Sequence, residues 1–382
     1  MRAAVHLALV VLAAAIAGAC SGSADDRAAE DAHSPAVVAA VKLREAAFAA
    51  ARVWTAPAIP IAEVNLRDNP PGPGAIASTS EVTCRFKIQE VSGTTPKFYC
   101  ETPAGEVIKI KYGEGNPELS AEVAATRLLA ALGFGADRMY VVKRVNCAGC
   151  PRYPFRALRC LQQTGFESAC FAGKLDYDRT VTFDAAVVER RLEGRKIEAP
   201  PLQVGWPWFE LDKIDPSRGG SSRAEVDALR LMAMLLAHWD NKAENQRLLC
   251  PAGEERADGG CVRPLAILQD VGATFGPVKA ELHNWRNTPI WADPTACTVS
   301  MKSLPWNGAT FPDRQISEDG RLFLLGLLEQ LGDQQMRDLF EGSRMTSFDQ
   351  VSGEGRNPEA WARVFKDKVR QIRSAGPCPG AQ

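Results

Sequence analysis

The stretch His238–Gly276 constrains this chain more than any other. It reads HWDNKAENQRLL, then a loop bracketed by Cys250 and Cys261, then LAILQDVGATFG. One acid, Asp240, stands two residues before Lys242 and five before Asn245. A second, Asp270, closes an apolar run and is followed by Val271 and Gly272. Phosphoryl transfer needs such a set: a carboxylate to orient the attacking hydroxyl, a carboxamide and a second carboxylate for a metal ion, and a lysine to offset phosphate charge. The bland alternative is a polar turn between a helix and a strand. A turn supplies any one of these residues cheaply, but not the whole ordered set.

The order Asp240-x-Lys242-x-x-Asn245, a strand, then Asp270-x-Gly272 resembles the catalytic loop and D-x-G segment of the protein-kinase-like superfamily. Two departures stand out. Trp239 replaces the loop arginine, which argues against control by a phosphorylated activation loop through that residue. Val271 replaces the usual phenylalanine, and no A-P-E sequence follows. The resemblance implies an α+β, two-lobed fold over residues 80–375, with a small β-rich N-lobe carrying one helix and a larger helical C-lobe. It also implies ATP as substrate with Mg or Mn. Asp240 would orient a hydroxyl acceptor, expected on a protein. Lys242 would steady the moving phosphate, and Asn245 and Asp270 would hold the metal.

Upstream, Val82–Tyr112 reads as three strands, CRFKIQEV, KFYCE and EVIKIKY, with turns between them. Alternation puts Lys109 and Lys111 on one face. Asn116 is a good N-cap and Pro117 fits the first turn of a helix that Gly133 ends. A strand lysine paired with a helix glutamate holds the nucleotide phosphates in the kinase small lobe. Lys111 and Glu122 are the expected pair, with Lys109 and Glu118 as rivals one repeat away. The turn EVSGTTPKF resembles the S-G-x-Q-P-K loop of HipA-type kinases at Ser92, Gly93, Pro96 and Lys97, with Thr95 in place of glutamine. Glu122, Arg127 and Leu128 also match that family's helix text. Gly93 would let backbone amides approach phosphate and Lys97 would add charge. An ordinary hairpin turn is the competing reading.

Net charge is −1 and no basic stripe appears, so nucleic acid is not an expected partner. Two of the four histidines fall in the first 33 residues, which leaves little for a Ser-His-Asp triad or a histidine metal site. Residues 1–20 read as an export signal: Arg2, an apolar core from Ala3 to Ile16, then small residues. Cys20 resembles the lipidated residue of a bacterial lipoprotein, although Ala17 stands where leucine is usual. A cell-envelope protein anchored to a membrane by lipid is therefore expected, with plain signal cleavage as the alternative. Removing Cys20 from eleven cysteines leaves ten, and an even set in an exported chain reads as disulfides. Local pairing suggests Cys84–Cys100, Cys147–Cys150, Cys160–Cys170, Cys250–Cys261 and Cys297–Cys378. A zinc site from Cys147, Cys150, Cys160 and Cys170 is the weaker option, because its second pair is too widely spaced.

The remaining organisation is coarser. Residues 21–80 read as a tether and lead-in, residues 81–215 as the N-lobe with a cysteine-rich insertion, and residues 216–382 as the C-lobe. Within the insertion, Thr180–Phe183 reads as a strand and Ala185–Glu193 as a helix. The aromatic run Trp206-Pro207-Trp208-Phe209 falls where a hinge would meet adenine, or is simply core. Ala224–Ala237, Ser317–Gln330, Asp333–Phe340 and Pro358–Ile372 read as helices. Free ATP is scarce outside the cytoplasm, so a kinase-like binding module without catalysis is the rival from another class. Nucleotidyl transfer by the same site is a third reading.

Overall fold

The structure is a computed structural model that describes residues 34–113, 115–171, 175–348 and 353–379. Cys20 and the export signal lie outside the described residues. Strands β1 (Glu81–Lys87), β2 (Lys97–Glu101), β3 (Val107–Lys111), β4 (Arg138–Val141), β5 (Arg144–Ala148), β6 (Thr180–Asp184) and β7 (Val187–Arg190) form one sheet in the order β4-β7-β3-β2-β1-β5-β6. All its pairings are antiparallel except β1 with β5. Ahead of it comes helix α1 (Pro35–Ala49). Helix α2 (Pro117–Ala131) is built as its sequence dictates: the Asn116 side chain accepts from the Glu118 amide, and Pro117 occupies the first turn. Gly133, at φ +88°, ends it where a Cβ would stand 2.2 Å from the Thr55 carbonyl.

The sheet has two different faces. Phe86, Phe98, Ile108, Ile110, Tyr140 and Val188 point away from the cleft into a core closed by helices α3 (Pro154–Thr164) and α4 (Glu167–Phe171) of the cysteine-rich insertion. On the opposite face, Met139, Val141 and Val187 pack under Leu119 and Val123 of α2. Beside that small apolar patch the face turns charged, with Lys97, Lys109, Lys111 and Glu189 in register across β2, β3 and β7.

The second lobe is mainly helical: α5 (Arg223–Leu236), α6 (Leu282–Asn287), α7 (Glu318–Leu328), α8 (Asp333–Gly342) and α9 (Pro358–Ser374). It includes a small sheet of β8 (Arg195–Lys196), β9 (Gln246–Cys250) and β10 (Leu265–Leu268), and a short pair, β11 (Thr298–Val299) with β12 (Arg314–Gln315). Its core gathers Trp285, Phe340 and Trp361 around Phe275. A sheet lobe joined to a helical lobe is the expected two-lobed, kinase-like α+β architecture, except that the small lobe carries three helices, α2, α3 and α4, where one was expected, because the cysteine-rich insertion folds back onto the sheet. No helix among the described residues is long and apolar enough to cross a membrane.

Three expectations change. Ala185–Glu193 is not a helix. Val187 and Val188 are β-branched and buried, and the segment takes the slot between β3 and β4, where it completes both ladders. For the aromatic run, the core reading holds over the hinge: Trp206 and Trp208 are fully buried and edge-on to each other, with Phe48 edge-on to Trp206 and Phe311 tilted against Trp208 in the large-lobe core. The lobe boundary accordingly falls near residue 193, because β8 already pairs with β9. The lead-in is not peripheral either. Ala47, Phe48, Ala51, Val53, Ile61 and Leu66 belong to the large-lobe core, and Arg44 is buried in an ion pair with Glu210 at 2.6 Å.

Five disulfides join Cys84–Cys100, Cys147–Cys150, Cys160–Cys170, Cys250–Cys261 and Cys297–Cys378, which leaves no thiolates for the zinc alternative. Cys250–Cys261 staples the turn of the β9–β10 hairpin, the hairpin that joins the two acid-bearing segments. Replacing both cysteines by alanine is expected to cost about 2–4 kcal/mol, read as a lower urea midpoint. An unchanged midpoint would show that the staple contributes nothing.

Candidate functional site

The catalytic-loop segment begins where α5 stops, at Ala237 in the left-handed region (φ 52°). His238 is fully buried beside Trp208, and burial pushes its pKa down to about 4, so it is a neutral wedge at neutral pH. Asn241 is buried and staples the loop: its Nδ2 donates to the His238 carbonyl, and its Oδ1 accepts from the Thr310 and Phe311 amides at 2.8 and 3.1 Å. Lys242 Nζ lies 3.3 Å from Asp240 Oδ2. Asn245 Nδ2 donates to the Asp240 carbonyl at 2.7 Å, while the Asn245 carbonyl accepts from the amides of Gln269 and Asp270. The hairpin thus brings Asn245 and Asp270 side by side. Trp239 and Ala273, and Leu236 and Phe275, are joined by further backbone hydrogen bonds, so the D-x-G segment is laced to the loop.

From the small lobe, Lys111 Nζ sits 2.6 and 2.7 Å from the two Glu122 oxygens and 3.0 Å from Glu189 Oε2. The rivals have other partners. Lys109 pairs with Glu189 at 2.7 Å, and the Glu118 carboxylate accepts from Thr95 Oγ1 of the loop before β2. Lys97, which stands opposite Lys111 in the β2–β3 ladder, is buried. Gly93, at φ +72°, folds over it: a Cβ there would lie 3.3 Å from Lys97 Nζ.

The electrostatics of this cluster are coupled. Burial pulls the Lys97 pKa down to about 8, helped by the Lys111 and Lys109 ammonium groups. Burial opposes the charge on Lys111 too, but Glu122, Glu189 and Asp270 outweigh it and hold its pKa well above the ordinary value. Burial raises Asp270, yet Lys111 and Lys97 prevail and keep its carboxyl below the ordinary range. Glu122 is pushed up by burial, with Lys111 only partly compensating, whereas Lys111 and Lys109 together overcome burial at Glu189 and hold it down. Three ammonium groups (Lys97, Lys109, Lys111) therefore face three carboxylates (Glu122, Glu189, Asp270), and the cradle is formally neutral.

A cavity of about 630 Å³ opens next to the cluster, lined by Gln89, Tyr99, Lys109, Glu189, Arg191 and Leu192 among others. Of the cluster only Lys109 and Glu189 line it; Lys111, Asp240 and Asp270 do not. Among the described residues no three His, Cys, Asp or Glu side chains gather into a metal cage. The candidate metal pair is one carboxamide and one carboxylate, a donor set that suits magnesium shared with substrate phosphates. The fit is supported by a neutral cradle, which needs an added cation to accept a polyphosphate. Glu189, Asn241 and the Trp306 loop described below were not singled out in sequence. A pair of adjacent valines was the one local hint of the strand that carries Glu189.

No family model matches the chain, and no curated protein matches it. Among solved structures, the chain is similar to that of a Helicobacter pylori proinflammatory kinase, CtkA, at a TM-score of 0.43 and 10% identity, over 78% of this chain and 98% of that one. Similarity at that level fixes neither family nor activity.

Proposed function

We propose that this chain is an exported kinase-like phosphotransferase that moves the γ-phosphoryl of ATP, with Mg or Mn, to a hydroxyl acceptor. The observation that carries the reading is Lys111, held between Glu122 and Glu189 and within the field of Asp270, whose amide meets the Asn245 carbonyl. Lys111, kept charged and rigid by two carboxylates, contacts the α- and β-phosphates. Gly93 and Lys97, in a loop of HipA style, cover the phosphate chain. Asn245 and Asp270 would hold the divalent ion, which when bound would supply positive charge against the polyphosphate. Asp240 orients the acceptor hydroxyl and takes its proton as the acceptor oxygen bonds to the γ-phosphorus. The bond from that phosphorus to the β–γ bridging oxygen breaks, and ADP carries the electron pair away. Lys242 steadies the phosphoryl in flight. Five disulfides support an oxidising compartment, and Cys20 as a lipid anchor would tether the domain to a membrane.

Calorimetry of the oxidised protein with ATP and Mg tests the reading through Lys97. Its pKa of about 8 means that roughly half the free protein lacks this proton at pH 8. Phosphate oxygens favour the ammonium form and raise that pKa. Binding should therefore take up protons near pH 8, and affinity should fall as pH climbs from about 8 towards 10. Absence of any nucleotide binding by folded, oxidised protein refutes the reading. Metal-dependent binding without transfer to any acceptor, in an envelope extract included, favours the binding module instead.

A further inference from the structure

We propose that the acceptor is a polyhydroxyl compound, a saccharide, seated against the paired rings of Trp239 and Trp306 beside Asp240. The inference rests on the reading of Asp240 as the group that orients the acceptor, and it names that acceptor's class.

The segment 300–313 folds onto the catalytic loop. Asn241 pins it from one side, and Thr310 Oγ1 donates to the Asn241 carbonyl at 2.8 Å. This sets the Trp306 ring 6.1 Å from that of Trp239, inclined at 60°. Lys242 Nζ lies 4.8 Å from the Trp306 ring centre and 3.3 Å from Asp240 Oδ2, so both rings, the lysine and the acid form one cluster. Three polar atoms in it are buried without a protein hydrogen-bond partner: Trp239 Nε1, Trp306 Nε1 and Asp240 Oδ1. Elsewhere the indoles are satisfied. Trp54, Trp206, Trp285, Trp291 and Trp361 each donate to a backbone carbonyl. The two unmet indoles therefore coincide with the unmet oxygen of the candidate catalytic acid.

A buried polar group without a partner carries a desolvation penalty that a ligand can relieve. Two N–H donors and one carboxylate oxygen require a partner that accepts twice and donates once over a short span. Neighbouring hydroxyls on one sugar ring do this, and aromatic walls suit the apolar C–H face of a pyranose. A serine or threonine side chain brings one hydroxyl to Asp240 and could meet the indoles only through backbone carbonyls, which lie strung along a chain, whereas a sugar presents its hydroxyls side by side on one ring. The Asp240 and Lys242 side chains keep 23% and 34% of their exposure, so the cluster opens towards the cleft through them. Entry requires Lys242 Nζ to swing off the Trp306 ring. Transfer then joins one ring hydroxyl oxygen to the γ-phosphorus, with its proton on Asp240 and ADP as the leaving group.

The test uses oxidised, full-length protein and three probes, maltotriose, cellotriose and chitotriose, against a library of serine- and threonine-containing peptides. Saccharide binding is measured by calorimetry without nucleotide, and labelled γ-phosphate transfer is measured with Mg-ATP. At least one trisaccharide should bind and be phosphorylated. Trp306→Phe, which keeps the ring and removes the N–H, should raise the KM for that saccharide by about 10-fold with a smaller change in kcat. A thermal melt verifies its fold. Phosphate on peptides with no saccharide bound overturns the proposal while sparing the phosphotransferase reading, as does binding of none of the three sugars by protein that binds Mg-ATP. Saccharide binding without any nucleotide binding upholds the sugar site and refutes the phosphotransferase reading.

Discussion

Asp270→Asn is expected to weaken metal-dependent ATP binding by at least about 100-fold, the loss associated with damage to a metal's ligand set. Asp270 is one of only two metal-ligand candidates here, and the other, Asn245, is uncharged. Its carboxylate is also one of the three that balance Lys97, Lys109 and Lys111, so the variant leaves that cradle with one net positive charge in place of none. ATP without metal should accordingly bind somewhat better to the variant than to the parent, while the response to added Mg disappears. Asp240→Asn should part company with it. Asp240 pairs with Lys242, whereas Lys109 and Lys111 pair with Glu122 and Glu189, so on the proposed reading its variant should bind Mg-ATP with little change and turn over about 10²–10⁴-fold more slowly. Calorimetry with and without Mg, beside γ-phosphate transfer, separates the two. Equal effects of both substitutions on binding would show that the assigned roles are wrong.

The two expectations differ in how they could be read from sequence. Asp240, Asn245 and Asp270 lie on one hairpin, so short-range spacing was enough to bring them together. Lys111 and Glu122 were legible for the same reason: strand alternation and helix periodicity each left two candidates, and adjacent elements met. The cap at Asn116, the Gly133 stop and the five cysteine pairs are also local chemistry or local pairing. Glu189 was not legible. The text AAVVERRLEG is rich in helix formers, and the segment is a strand because β3 and β4 leave a gap that only an extended chain can complete. Tertiary pairing overrode propensity there. Trp306 and Asn241 are 65 residues apart, and nothing in either stretch announces the other. Likewise, the run Trp206–Phe209 left hinge and core both open, because the burial of Trp206 and Trp208 is set by Phe48 and Phe311 from distant parts of the chain.

Arg44 is the sharpest case of that long-range blindness, and Arg44→Ala should be among the most damaging single changes outside the site. In the sequence it is one cation in an alanine-rich helix, with nothing local to mark its partner. In the structure its guanidinium is 1% exposed, with one nitrogen 2.6 Å from Glu210 Oε2 and 2.6 Å from the Gly205 carbonyl, and the other 3.1 Å from Glu210 Oε1. Removing one member of a buried ion pair typically costs about 3–5 kcal/mol, because the partner stays buried and uncompensated. Lys213, 3.3 Å from Glu210 but 54% exposed, cannot take over, and Lys213→Ala should stay within about 0.5 kcal/mol of the parent. The double variant Arg44→Met, Glu210→Leu removes both charges and should recover most of what Arg44→Ala loses. Urea unfolding under oxidising conditions, with the disulfides intact, reads all three. A cost below about 1 kcal/mol for Arg44→Ala would mean that α1 is an appendage after all, since a docked helix that buries its only ion pair cannot lose it at the cost of a surface contact.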